Sequence, residues 1–312
     1  MNITRNLFAA FVTTVATLGC GKSEYLKAVT AYAETAGNGT SSLGELSDSL
    51  VSICRQRATA HYINRRLEDP EAMTKSRWET YYTLPKEADG VLSWQDYCAS
   101  VGQTGENYEK LVALLSAYVK AMKVLADQES WDGSDLNDLL SNLSELSGSS
   151  TQLGKDLAAL APSAKQLVSF LVAKYAESEA QELAKSADPP IQVILTGMSA
   201  YLTATIKDVV TPAAKERAEA IDMIEKSSVW TTPGDASRVI SFTSYAQATD
   251  DDISTIKVKF ADYDTLIIKL KAGQTVLATV PPKKESVKAI LTAATNILVA
   301  LNSVRAQAKP AG

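Results

Sequence analysis

Residues 239–277 read VISFTSYAQATDDDISTIKVKFADYDTLIIKLKAGQTVL, the clearest periodic pattern in the chain. Seam positions recur at alternating steps of three and four residues: Val239, Phe242, Ala246, Thr249, Ile253, Ile256, Phe260, Tyr263, Ile267, Leu270, Gln274 and Leu277. A seven-residue repeat places its members on one face of a helix. We therefore predict one continuous helix, about 60 Å long at roughly 1.5 Å per residue. It should end before Pro281-Pro282 and pack against the helices on either side of it in sequence.

Shorter stretches with helical spacing lie on both sides of this segment. They are predicted within residues 24–34, 43–69, 107–126, 136–146, 153–171, 191–205 and 287–304. Pro70 and Pro189-Pro190 are expected to end helices, and Pro162 and Pro212 to kink them. Long helices joined by short turns tend to pack antiparallel. The predicted fold is all-α, an elongated antiparallel helical bundle with long heptad-patterned helices.

The composition narrows the classes of function. Apolar residues make up 46% of the chain and charged residues 21%, which is ordinary for a folded protein. The net charge of -5 disfavours a nucleic-acid partner, because phosphate binding requires a basic face. The single histidine, His61, excludes most histidine-based catalysis and most histidine-ligated metal sites. We interpret His61 as a structural or surface residue on a helix.

The first residues have the pattern of an export signal. Arg5 is followed by uncharged, mostly apolar residues 7–18 and then by Gly19 and Cys20. Twelve residues are too few to span a bilayer, which needs about twenty. The segment resembles a bacterial lipoprotein signal peptide, in which a small residue precedes a cysteine. Thr17 and Leu18 differ from that pattern, which usually has leucine three residues before the cysteine and a small residue two before.

The resemblance implies a lipid anchor at Cys20. In this family the cysteine thiol receives a diacylglycerol, and cleavage before the cysteine makes it the new N-terminus. The implied location is the cell envelope, with the protein held on a membrane by its N-terminal lipid. Gly21, rather than Asp, after the cysteine implies the outer membrane if the source has two membranes. Secretion without a lipid is the alternative.

A second interpretation of the same region is a nucleotide-binding loop. Residues 16–23 read ATLGCGKS, a loose form of the phosphate loop G-x-x-x-x-G-K-[ST]. That loop works at the edge of a parallel sheet with helices on both faces. The remaining sequence shows no alternation of strands with helices, so we interpret GKS as incidental.

The cysteine count fits export. The chain has three cysteines, and lipidation of Cys20 would leave Cys54 and Cys98 as a pair. In an oxidising compartment this pair is predicted to form a disulfide. Two buried free cysteines that pack as small apolar side chains are the alternative.

These features divide the chain into a signal peptide (residues 1–19), a lipid-anchored segment and linker (20–42) and a helical bundle (43–312). The linker ends in the small-residue run 37–42. An irregular insert at about residues 70–105 is broken by Pro85, Gly90, Gly102 and Gly105 and is rich in aromatic residues: Trp78, Tyr81, Tyr82, Trp94 and Tyr97. We expect an aromatic mini-core there, with a ligand-binding cleft as the alternative.

No catalytic, cofactor-binding or metal-binding motif is found. Ser254 and Lys257 have the S-x-x-K spacing of some serine enzymes, but both lie between seam positions, where side chains face water. The run 250–252 of three aspartates is interpreted as a solvated acidic face, because it lacks the spacing of a calcium loop. We therefore expect a protein that is not an enzyme.

Three classes of function remain open. The first is a lipid-anchored envelope protein whose bundle binds another envelope protein or acts as a spacer. The second is a pore-forming or membrane-remodelling protein, because residues 189–206 and 289–304 carry no charge and approach membrane-spanning length. The third is a ligand-binding protein or enzyme that uses the insert at residues 70–105.

Overall fold

The protein is all-α. The computed structural model describes residues 21–44, 47–68, 93–128, 146, 151–174, 179–226 and 233–307, and every regular element within them is helical. The helices are α1 (Gly21–Leu43), α2 (Ser47–Glu68), α3 (Trp94–Asp127), α4 (Gln152–Ala158), α5 (Ala161–Lys174), α6 (Ala180–Thr205), α7 (Thr211–Lys226), α8 (Pro233–Thr279) and α9 (Val287–Gln307). A π-helical turn, Ile206–Val210, joins α6 to α7, and a 3-10 turn, Lys284–Ser286, precedes α9.

The main core lies among α1, α3, α6, α8 and α9. Helix α1 packs against α3 and α9, and α8 packs against α6 and α9. Each helix contributes side chains that are almost fully buried: Tyr32, Leu111, Ile194, Phe260 and Ile297. Helices α2 and α7 pack against each other, and α2 also packs on α3. The elongation and the antiparallel order of the predicted bundle remain predictions.

The heptad pattern is confirmed as one helix. Helix α8 runs without a break from Pro233 to Thr279 and ends before Pro281. From Ile256 onward the structure describes its side chains, and the later seam positions are buried: Phe260, Tyr263, Ile267, Leu270, Gln274 and Leu277. Helices α7 and α9, its neighbours in sequence, both contact it, and α6 is a further partner that the pattern does not predict.

The small-residue run 37–42 is helix, so its prediction as a linker was wrong. Gly39 lets α1 approach its neighbours, since a Cβ there would lie 3.3 Å from Leu266 Cδ1. The hydroxyl groups of Thr40, Ser41 and Ser42 donate to carbonyls three or four residues earlier, within the same helix. Residues 21–43 therefore belong to the bundle.

Glycines in the predicted insert are also helical. Gly102 and Gly105 lie inside α3, which begins at Trp94 after an N-cap hydrogen bond from the Asp96 amide to the Ser93 hydroxyl. A Cβ at Gly102 would lie 3.0 Å from Val51 Cγ2, so the glycine permits α2 and α3 to approach closely. The insert thus ends at α3, and residues 69–92 lie outside the described part of the chain.

The prolines act differently from one another. Pro189 and Pro190 lie inside α6 instead of ending a helix, because the residues after them pack in the core: Ile191, Ile194 and Met198 are almost fully buried. Pro162 lies in the first turn of α5, where it fits without loss of a hydrogen bond, so two helices replace the predicted kinked one. Pro212 follows the π-helical turn, which interrupts the helix near the predicted kink.

Candidate functional site

Cys54 and Cys98 form a disulfide that joins α2 to the beginning of α3. Their Cα atoms are 5.5 Å apart, and both side chains are buried. The pairing predicted from the cysteine count is therefore present. One turn farther along α3, Gly102 lies against Val51. The disulfide thus fixes α2 and α3 where they are already in close contact.

One turn after Cys54, Arg57 organises a group of polar side chains between α2 and α7. Its Nε and Nη2 atoms donate to Glu216 Oε1 at 3.0 and 2.8 Å. Its guanidinium carbon lies 5.5 Å from the centre of the Trp94 ring, within cation–π range. Arg57 and Glu216 are only 12% and 17% exposed. We call Arg57, His61, Asn64, Trp94 and Glu216 the α2/α7 cluster.

The cluster also binds backbone groups of the chain around Pro212. Pro212 has no N–H group, so it cannot donate the usual helical hydrogen bond to the carbonyl of Asp208, four residues earlier. Arg57 Nη1 donates to this carbonyl at 3.3 Å. Asn64 Nδ2 donates to the carbonyl of Glu216 at 2.9 Å. The side chains of α2 thereby hold both the π-helical turn and α7.

His61 contributes an imidazole with an altered pKa. Its Nδ1 lies 3.8 Å from Glu216 Oε2, and its ring centre lies 5.4 Å from that of Trp94. Burial lowers the pKa of His61 below its ordinary value, and Arg65 and Arg57 act in the same direction. The Glu216 carboxylate opposes them. His61 is therefore predominantly neutral at neutral pH, as a structural histidine is expected to be.

The predicted aromatic mini-core is present in its described part. Trp94 is buried with Ala58 and Tyr62, and the Tyr97 ring meets the Trp94 ring edge-on at 6.2 Å. Trp78, Tyr81 and Tyr82 lie outside the described residues. The Trp94 ring also lies against the Arg57 guanidinium, so the aromatic group and the ion pair share Arg57.

Among the described residues, the cavities elsewhere in the bundle include an open groove and a smaller cavity. An open groove of about 520 Å³ between α8 and α9 is lined by alanines and by several polar residues, among them Lys269, Glu285, Lys288 and Asn296. A smaller cavity of about 20 Å³ lies beside Tyr118 and Gln274. The smaller cavity has room for about one water molecule. The groove is of a size that takes small molecules.

The other predicted residues fall in several places. Cys20 and residues 1–19 lie outside the described part, and so does the first half of the loose phosphate-loop match. Gly21, Lys22 and Ser23 begin α1. Ser254 and the aspartate run 250–252 lie in the part of α8 described by its backbone only, whereas Lys257 is half-buried. Among the described residues, no group of three or more His, Cys, Asp or Glu side chains could hold a metal ion.

Comparison with known protein families, curated proteins and solved structures finds no match. Two helical segments, Ala180–Lys226 and Lys284–Ala306, are long and apolar enough to cross a membrane. Many of their apolar side chains are buried among other helices of the bundle, including Ile194, Met198, Ile297 and Leu301. Core helices of folded proteins can be equally long and apolar.

Sequence reasoning did not find Arg57, Asn64 or Glu216. Arg57 lies one turn after a predicted disulfide cysteine, and Glu216 lies one turn after Pro212. Neither position has a motif, and 159 residues separate the two partners. A partly buried ion pair between distant helices leaves no local pattern in the sequence. The geometry of the α2/α7 cluster indicates a clamp between helices.

Proposed function

We propose that the protein is an exported, lipid-anchored envelope protein whose helical bundle binds another envelope protein or acts as a structural spacer. The observation that carries the proposal is the use of the cysteines. Cys54 and Cys98 are engaged with each other, which is typical of an oxidising compartment. Cys20 is the remaining thiol of the chain, and it lies where the signal pattern ends.

The bundle supports an interaction role more than a chemical one. The most elaborate polar site, the α2/α7 cluster, uses its donors and acceptors to hold helices together. Its hydrogen bonds join groups of the chain to one another, although Asn64 Oδ1 and Glu216 Oε2 are buried without a hydrogen-bond partner. The long helices instead offer extended side surfaces to a partner, and a membrane attachment would keep those surfaces near other envelope proteins.

The modification at Cys20 can be tested by mass spectrometry. The protein made in a bacterial host is expected to begin at Cys20 and to carry acyl chains. A Cys20→Ser variant should have neither change and serves as the control. An unmodified chain that still begins at Met1 would contradict the proposal. Crosslinking in the native envelope, followed by identification of the co-purifying proteins, tests the interaction role.

A second candidate is a protein that inserts into membranes. The two apolar segments, Ala180–Lys226 and Lys284–Ala306, favour it by length and hydropathy. Insertion would require these helices to leave the core, where they contact α8 and α1. Leakage of dye from liposomes on addition of the purified protein would support this candidate, and intact liposomes would favour the interaction role.

A further inference from the structure

We propose that one end of the bundle, formed by the start of α1 and the turn before α9, lies against the membrane surface. We call residues 23–27 and 281–285 the anchor end. The inference rests on the proposed lipidation of Cys20 and adds the orientation of the bundle. The opposite end, with the disulfide and the α2/α7 cluster, would then point away from the membrane.

The first argument is the length of the tether. Helix α1 begins at Gly21, the residue directly after Cys20. Neighbouring Cα atoms are about 3.8 Å apart. A lipid on Cys20 therefore leaves no flexible spacer between the bilayer surface and the first turn of α1. A linker of many residues would let the bundle tumble freely, whereas this junction does not.

The second argument is that the turn before α9 is fixed beside the start of α1. Lys284 Nζ lies 3.6 Å from Glu24 Oε2, and the 3-10 turn packs on α1. Gln181 Nε2 donates to the carbonyl of Val280 at 2.6 Å, which ties the same turn to the start of α6. Residues 281–285 are all exposed. A membrane that meets the start of α1 therefore also meets this turn.

The charges at the anchor end are mixed. Lys27, Lys283 and Lys284 supply cations that can face lipid phosphates. Glu24, which pairs with Lys284, and the exposed side chains of Glu179, Glu182 and Glu285 supply carboxylates nearby. Attraction between lysines and an anionic surface is thus largely offset. The short covalent tether, rather than net charge, sets the orientation.

Helix α3 gives the distance to the other end. Near its C-terminal end, Asp127 accepts a hydrogen bond from Thr30 in α1. Near its start, Cys98 is bonded to Cys54. At about 1.5 Å per residue these two positions on α3 are roughly 44 Å apart. Helix α7, which Arg57 and Asn64 hold against α2, is at this far end.

The chain offers a matched set of lysines for the test. The side chain of Lys284 at the anchor end is 72% exposed, and those of Lys215 and Lys226 on α7 are 75% and 74% exposed. The acylated protein is added to preformed vesicles of phosphatidylethanolamine and phosphatidylglycerol and treated with a water-soluble amine-reactive ester. The chain that begins at Gly21, made without residues 1–20 and kept in solution, is the reference. Peptide mass spectrometry then gives the labelling at each lysine and the state of Cys20 in the same sample.

On vesicles, labelling of Lys284 is expected to fall several-fold relative to the reference, while labelling of Lys215 and Lys226 is unchanged. The proposed orientation would be overturned if all three lysines of the acylated, vesicle-bound protein react as they do in solution. Protection of Lys215 and Lys226 instead of Lys284 would overturn it too. Both results would leave the lipid anchor in place. An unmodified Cys20 would overturn the anchor and the orientation together.

Discussion

Gln274 is a polar residue in the apolar seam of α8, and its hydrogen bonds explain its presence there. Its Oε1 accepts from the Tyr118 hydroxyl at 2.9 Å, and its Nε2 donates to the carbonyl of Ala184 at 3.0 Å. Both bonds are buried. One side chain thus connects α8 to α3 and to α6, which fixes the rotation of α8 about its axis.

Replacement of Gln274 by Leu should lower the free energy of unfolding by about 1–3 kcal/mol, because the Tyr118 hydroxyl and the Ala184 carbonyl lose their partner inside the core. The change is measured by urea denaturation. Tyr118→Phe removes the hydroxyl that Gln274→Leu leaves without a partner. The loss of stability in the double variant should therefore be smaller than the sum of the losses in the two single variants. Strictly additive losses would show that the hydrogen bond has no effect on stability.

His61 should give the protein a stability that depends on pH. Its pKa in the folded protein is lowered, chiefly by burial, from an ordinary value of 6.5. The folded state therefore resists protonation, and stability falls as the pH drops below about 6.5 towards the lower folded pKa. Denaturation midpoints between about pH 7 and 5 should fall more steeply in the native chain than in His61→Gln. Glu216, Glu68, Arg57 and Arg65 remain in both proteins, so equal slopes would contradict the prediction.

Phe260 and Lys259 offer a contrast between neighbours on α8. Phe260 is fully buried, and its replacement by Ala should cost about 3–5 kcal/mol. Lys259 lies off the seam, and Lys259→Ala should change the free energy of unfolding by no more than about 0.5 kcal/mol. Chemical denaturation checks both. Tyr263 lies on the same buried face, so a harmless Tyr263→Ala would be inconsistent with this helical packing.

At the scale of elements, glycines decide how closely the helices approach. A Cβ at Gly273 of α8 would lie 2.7 Å from Cε2 of Tyr32, whose ring is buried, so the ring or the helix would have to shift. Gly273→Ala should therefore destabilise the fold by about 1–3 kcal/mol. Gly37 in α1 is the control, because its Cβ would lie 3.6 Å from Val119, an ordinary contact.

Gly37→Ala should have the opposite effect and raise the free energy of unfolding by about 0.5–1 kcal/mol, because alanine has less backbone freedom to lose than glycine when the chain folds. Thermal melting of the two variants measures the contrast. A rise of both melting temperatures would mean that helix propensity, rather than the approach of Tyr32, controls these positions.

Hydrophobic periodicity correctly predicted the helices with long apolar stripes. It failed at segments rich in small residues or prolines, where tertiary contacts determine whether the chain is helical. The apolar stripe of α8 continues for many turns, so its sequence pattern fits only a single long helix. The run 37–42 has turn-forming residues, but it is helical, and Gly39 within it lies close to neighbouring helices. Pro189 and Pro190 are tolerated because α6 is buried on both sides of them in sequence. Tertiary contacts overrode local preference in both cases, and a single sequence does not display those contacts.

At the scale of the molecule, the disulfide should contribute to global stability. Cys54 and Cys98 are separated by 44 positions, and closing such a loop stabilises by about 4 kcal/mol through the entropy of the unfolded chain. Reduction should therefore lower the urea midpoint of the native protein. The Cys54→Ala, Cys98→Ala double variant should already be destabilised and should not respond to reductant. A native protein that is indifferent to reductant would contradict the prediction.

The candidate site was predictable only through its cysteines and aromatic residues. Counting thiols paired Cys54 with Cys98, and clustering of aromatic residues placed Trp94 and Tyr97 in one group. Arg57 and His61 meet Glu216 because α7 packs against α2, and this packing follows from the topology of the bundle. The sequence indicates which residues are unusual, but not which of them meet.

The pairing of α1 with α9 has a consequence for the order in which the protein can fold. These are the first and last helices that the structure describes, and a Cβ on Gly39 would lie 3.5 Å from Ile297. Contacts between such remote parts of a chain form late. A polypeptide delivered from its N-terminus would leave the side of α1 that packs on α9 uncovered until nearly all of the chain had arrived. Completion of the core would then follow translocation, and until that moment the early part of the chain would depend on chaperones for protection.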